Sequence, residues 1–143
     1  ARMKLAKQLG ADLVLGKDDN IVETILAHTN GKGVDNSCEF SGAPSALSNT
    51  IHSTRMGGYV NVLSVYGSET TQVPMNDIVF RYLHLKGING RKMWSTWDKM
   101  HELLSEGKID IETLLTHRIP YREFNSAIEL AISGDCGKVV LDF

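Results

Sequence analysis

Short apolar runs that end in glycine alternate with helical stripes along most of this chain. That alternation constrains the fold more than any other feature. "YVNVLSV" at 59–65 runs into "YG", and the run at 82–89 ends in "KGING". Between such runs, apolar residues recur three and four apart, as in Ile21, Val22, Ile25 and Leu26, or Leu47 and Ile51. Strand, helix, strand, helix at this rhythm predicts a parallel sheet with helices on its faces. Right-handed crossovers put the carboxyl ends of parallel strands on one edge, and ligands of such sheets bind beyond that edge. The glycines there either let a flat ligand approach the backbone or close ordinary turns.

In detail, the pattern predicts a helix at 2–9 with Leu5, Ala6 and Leu9 on one face, and then a strand, "DLVLG", at 12–16. Asp18 or Asp19 is placed to cap the next helix, which "NGKG" at 30–33 ends. A strand is expected at 34–40, "VDNSCEF". It is polar for a strand buried on both faces, so Asn36 and Ser37 would need hydrogen-bond partners. Pro44 opens a helix at 44–55, since its fixed φ suits a first helical position. A strand at 59–65, a helical turn at 74–81 and a strand at 82–89 follow. A helix at 92–106 carries Met93, Trp97, Met100 and Leu104 on one face, where the tryptophans read as core or interface residues. The last third reads as a strand at 116–121, a helix at 122–133 packing through Phe124, Ala127, Ile128 and Ala131, and a closing strand, "GKVVLDF".

At 143 residues the chain is long enough for one domain with a real core. Fifteen Lys plus Arg against 17 Asp plus Glu leave a net charge of −2 and no basic excess for a nucleic-acid backbone. No apolar run approaches the ~20 residues that span a membrane. Cys38 and Cys136 lie far apart without metal-type spacing, as reduced thiols in a cytoplasm would. His28, His52, His84, His101 and His117 share no zinc-site spacing, and no nucleophile–base pair stands out. The expectation is that these residues supply neither a metal ligand nor a catalytic group. The chain opens at Ala1 inside a helix-like segment, so it is expected to be a piece of something longer.

"RMKLAKQLGAD", "CEFSGAPSAL", "MGGYVNVLSV" and "LKGINGRKMWSTWDKM", with "LLTHRI" and "GKVVL" after them, resemble the zinc-dependent medium-chain alcohol dehydrogenases in this order and spacing. The resemblance covers the whole chain. It implies an α/β fold: a partial Rossmann domain, a doubly wound parallel sheet without its first two strands, over 1–108. A strand–helix–strand return segment over 109–143 would pack on a catalytic domain outside this sequence. It also implies NAD as cofactor, zinc bound by residues not present here, and oxidation of a small-molecule secondary alcohol. The fragment alone is expected to be inactive. With the first strands missing, "DLVLG" would pair with "VDNSC" or another chain would fill the gap. Open strand edges, and a last Rossmann strand that meets its twin in the family, imply a homo-oligomer.

The same resemblance implies cofactor contacts. Arg2 matches an arginine near the adenosine end of NAD, although by itself it reads as a solvated surface residue. Ser41 and Gly42 match a stretch that passes beside the cofactor, although Ser41 is also suited to cap the following helix. Leu63, Ser64 and Val65 match the backbone along the nicotinamide side, and Ile88 and Asn89 match a second such stretch. Relatives often carry a bulkier residue where Asn89 stands. Two alternatives stay open: a polyol or alcohol dehydrogenase of the sorbitol or butanediol type, and a non-catalytic nucleotide-binding or assembly module.

Overall fold

A computed structural model describes all of Ala1–Phe143. The chain divides into two units, residues 17–91, and residues 1–16 with 92–143.

The first of these holds the sheet. β1 (Val34–Glu39), β2 (Thr54–Val62) and β3 (His84–Gly87) lie in that order, all parallel. Two helices run beside them, α2 (Ile21–His28) and α3 (Pro44–Ser53), and a short α4 (Met75–Phe80) precedes β3; α1 (Arg2–Gln8) belongs to the other unit. Leu47 and Ile51 of α3, Val60 of β2 and Leu83 form the core, with Val62, Tyr66, Val73 and Ile78 packed against them. Pro44 opens α3 as the sequence predicts. At its other end, the Arg81 guanidinium donates to the carbonyls of Ile51 (3.2 Å), His52 (3.4 Å) and Thr54, satisfying oxygens that a helix end leaves without partners.

β2 starts five residues earlier than the pattern suggests. Val34 pairs with Thr54 and Asn36 with Tyr59, so Arg55–Gly58 bulge out of register. Gly58 makes the bulge possible, because a β-carbon there would lie 2.5 Å from Thr54 Cγ2 and 3.0 Å from the Asp35 carbonyl. β1 comes first in the sheet order, and its Asp35, Asn36 and Cys38 are exposed. Ser37, which faces inward, pairs with Thr54 Oγ1 at 2.7 Å.

"DLVLG" forms no strand and does not pair with β1. Its alternation has no strand to bond to, and Lys7 Nζ gathers the carbonyls of Ala11 (3.3 Å) and Asp12 (3.0 Å) at its start. Nor do Asp18 and Asp19 cap α2; its N-cap is Asn20, whose amide donates to Glu23 Oε2 at 2.5 Å.

The second unit holds α1, α5 (Ser95–Ser105), and the parallel pair β4 (Leu115–Pro120) and β5 (Lys138–Asp142), joined by a short 3-10 turn and α6 (Phe124–Ser133). This is the expected strand–helix–strand order. α5 starts three residues later than its stripe predicts, because Trp94 sits at φ +65° outside the helical region. Trp97 and Met100 are exposed rather than core. α6 buries Ala127, with Leu130 half-buried, whereas Phe124, Ile128 and Ala131 face outward. Its inner face is thus turned from the predicted one.

Candidate functional site

The carboxyl ends of β1, β2 and β3 share one edge of the parallel sheet, and the chain turns sharply after each. Ladder-type bonds continue past the strand ends: Leu63 N–H donates to the Glu39 carbonyl and Ile88 N–H to the Val62 carbonyl, each at 2.9 Å. These bonds bring Leu63 and Ile88 to the same edge as the turn after β1.

The turn after β1 is built around a residue that sequence reasoning passed over. Glu39, the last residue of β1, is 2% exposed. Its Oε1 accepts from Ser41 N–H and Ser41 Oγ, both at 2.6 Å, and from Gly42 N–H at 3.1 Å. Its Oε2 accepts from Tyr66 Oη at 2.8 Å and from Ser64 Oγ. Burial alone would raise the Glu39 carboxyl. The donors from Ser41, Ser64 and Tyr66 outweigh it and hold the group at about 2, so it is ionised at neutral pH. Burial also pushes the Tyr66 phenol up, and the carboxylate beside it holds its proton further.

Glu39 therefore ties the "SGA" turn to the "LSVY" turn. The two are in contact as well. Gly42 adopts φ +73°, and a β-carbon on it would lie 2.6 Å from the Val65 carbonyl oxygen. Ser41 does not cap α3, whose N-cap is Ala43; its hydroxyl is committed to Glu39 and accepts from Ala43 N–H at 3.2 Å. Outside this knot stand two apolar side chains, Leu63 at 37% exposure and Val65 at 90%. Ile88 is half-buried and Asn89 exposed.

Of the residues singled out from the sequence, Ser41, Gly42, Leu63, Ser64, Val65 and Ile88 thus gather at one sheet edge, with Asn89 next in the chain. Arg2 belongs to the other unit, where its Nε donates to the Cys136 carbonyl at 3.1 Å. The edge offers backbone amides and carbonyls together with apolar side chains. Those are the means of holding a flat amide-bearing ring by its edge and walling its face. A signal for Glu39 was present in "EFSG": an acid directly before a serine–glycine turn has backbone N–H groups within reach. The other half of its shell lies 25 and 27 residues away and could not be read locally.

No three His, Cys, Asp or Glu side chains gather in a way that would hold a metal ion. Both cysteines are free thiols, Cys38 exposed and Cys136 buried. No helix is long and apolar enough to cross a membrane.

Residues 1–106 match the family model described as zinc-binding dehydrogenase. The chain belongs to the zinc-binding dehydrogenase family. It is 42% identical to an L-threonine 3-dehydrogenase of Bacillus licheniformis, over 98% of this chain and 41% of that protein. Among solved structures, 2R,3R-butanediol dehydrogenase from Bacillus subtilis superposes with a TM-score of 0.86 at 28% identity, over 99% of this chain and 41% of its own. The NADH complex of a short chain alcohol dehydrogenase from E. coli CFT073 shares the fold, with a TM-score of 0.83 at 23% identity over 99% of this chain and 42% of its own. The chain thus spans about two fifths of the length of the relatives it matches.

Proposed function

We propose that these residues serve an NAD- and zinc-dependent dehydrogenase that oxidises the secondary hydroxyl of L-threonine to give 2-amino-3-oxobutanoate. The observation that carries this reading is the 42% identity with a threonine 3-dehydrogenase along 98% of the chain. The chemistry NAD supplies when bound is acceptance of a hydride from the carbinol carbon. The backbone of Leu63, Ser64 and Val65, with Ile88 and Asn89, receives the nicotinamide end. The side chains of Leu63 and Val65 wall the ring and exclude water, and Ser41 and Gly42 flank the cofactor. Arg2 serves the adenosine end.

The residues here do not fit a zinc ion, since no set of ligands converges. No step through zinc is therefore assigned to them, and the metal would be held elsewhere in the polypeptide. On this reading residues 1–108 are the later part of the cofactor domain and the chain by itself is inactive. Residues 109–143 pack on the catalytic part through the exposed side chains of Phe124, Ile128 and Ile132. The outer edge of β3 is open to another strand, which supports a homo-oligomer; the cytoplasm is the location proposed with it.

The test is NADH formation by the complete polypeptide that carries these residues, with L-threonine, 2R,3R-butanediol and sorbitol offered in parallel. Turnover led by L-threonine is expected. Turnover led by the diol or polyol would favour the second reading, which the butanediol dehydrogenase superposition supports. A polypeptide that reduces NAD with none of them would leave the non-catalytic module.

A further inference from the structure

We propose that Glu39 is a positioning residue for the nicotinamide end of the cofactor: its one buried carboxylate fastens the turn after β1 to the turn after β2 and so sets the spacing of the backbone that receives the ring. The inference rests on the cofactor reading above. It adds a residue that makes no contact with the cofactor in that reading.

A buried carboxylate is a costly way to hold two loops together. Well-packed apolar side chains of similar volume often stabilise as much or more, so a buried charge is weak evidence for stability alone. What it offers is geometry, because each oxygen has a fixed direction and every donor must converge on it. Here the donors come from both loops. Oε1 takes Ser41 N–H, Ser41 Oγ and Gly42 N–H from the first turn, and Oε2 takes Ser64 Oγ and Tyr66 Oη from the second, with Gly42 N–H shared to it at 3.3 Å. Pulling the turns apart would strip donors from a charge that is 2% exposed. Pushing them together is resisted by the contact of Gly42 with the Val65 carbonyl. The carboxylate and the backbone contact together fix one separation. Leu63 and Val65, which flank Ser64, take their positions from it.

Glu39→Gln tests this with little change of shape. The amide oxygen keeps the backbone N–H groups of Ser41 and Gly42. The amide nitrogen then faces Ser64 and Tyr66, whose hydroxyls can turn to accept, so the variant has a route to folding. Tyr66→Phe removes a single donor and keeps the ring, and stands as the second variant. Dissociation constants for NADH and for ADP-ribose would be measured on the complete polypeptide, since ADP-ribose lacks the nicotinamide. For Glu39→Gln the expected result is NADH binding weakened about tenfold with ADP-ribose binding kept within about twofold, and for Tyr66→Phe about threefold with the same selectivity. Equal losses for both ligands in either variant would make Glu39 a structural residue only and overturn the proposal. Unchanged NADH binding in both variants would overturn it as well, with the cofactor reading intact. A wild-type protein that binds ADP-ribose and NADH equally would place no nicotinamide at this edge, and the cofactor reading would fall together with the proposal.

Discussion

Gly42 and Val65, 23 positions apart in the sequence, meet backbone to backbone: a β-carbon on Gly42 would lie 2.6 Å from the Val65 carbonyl oxygen. No side-chain rotation relieves such a contact, and φ at Gly42 is +73°, which side-chain-bearing residues adopt at a cost. Gly42→Ala is therefore expected to destabilise the chain by about 2–4 kcal/mol in urea unfolding, combining the conformational and overpacking terms. Gly90 is the control. It has φ +62° but nothing within 4 Å of an added β-carbon, so Gly90→Ala should cost only about 1–2 kcal/mol. Equal costs at the two positions would mean that the turns after β1 and β2 are free to separate.

The Glu39 carboxyl makes a second, pH-dependent expectation. Its folded value of about 2 lies below the ordinary 4.5 of an unfolded glutamate. A group depressed in this way contributes stability that is fully present above the unfolded value and is lost as pH falls through the folded one. Above about pH 5 the contribution is on the order of 3 kcal/mol. Other carboxylates titrate over the same range, so the informative quantity is the difference between wild type and Glu39→Gln. That difference should be constant from pH 6 to 8 and shrink between about pH 4.5 and 2. A difference that stayed flat down to pH 2 would show that Glu39 is not held ionised by its donors.

The sheet was legible in the sequence because its signals are local. Apolar runs at β2 and β3, the proline that opens α3, and glycines at the turns each act within a few residues. The failures came where a distant partner decides. "DLVLG" has the alternation of a strand, yet a strand exists only where another backbone bonds to it. α6 carries two apolar faces, and the sequence cannot say which one faces inward. The small Ala127 fits there, and the larger Phe124 and Ile128 are left outside. Glu39 was passed over because half its partners come from the turn after the next strand. The candidate contacts at residues 41–42, 63–65 and 88 fell on one edge because parallel strand ends must. Arg2 is held in the other unit by the carbonyl of Cys136, a neighbour 134 positions away that no local pattern reveals.

Burial and exposure should separate stability from binding. Ile51 is fully buried in the core between α3 and β2, so Ile51→Ala removes packing and leaves a cavity. It is expected to cost about 2–5 kcal/mol by denaturant unfolding. Val65 is 90% exposed, and Val65→Ala should change stability by less than about 0.5 kcal/mol. In the complete polypeptide the same Val65→Ala change should weaken NADH binding several-fold through the lost apolar wall. A Val65→Ala protein that binds NADH as wild type does would remove Val65 from the cofactor surface.

The outer face of α6 gives the sharpest contrast between this chain and a longer one. Phe124, Ile128 and Ile132 recur four apart and line one side of the helix at 52%, 43% and 80% exposure. Tyr121, three residues before Phe124, stacks on Phe143 with ring centroids 5.4 Å apart. Within residues 1–143, Ile132→Glu places a charge in water and should leave stability within about 0.5 kcal/mol of wild type. If residues 109–143 dock on a catalytic part, the same glutamate is buried without a partner in the complete polypeptide. There it should cost about 3 kcal/mol or more, or be relieved by taking up a proton. Denaturant unfolding of both lengths, each with and without the substitution, reads the difference directly. An equally harmless substitution in both would mean that α6 keeps this face in water and that the return segment docks through other residues.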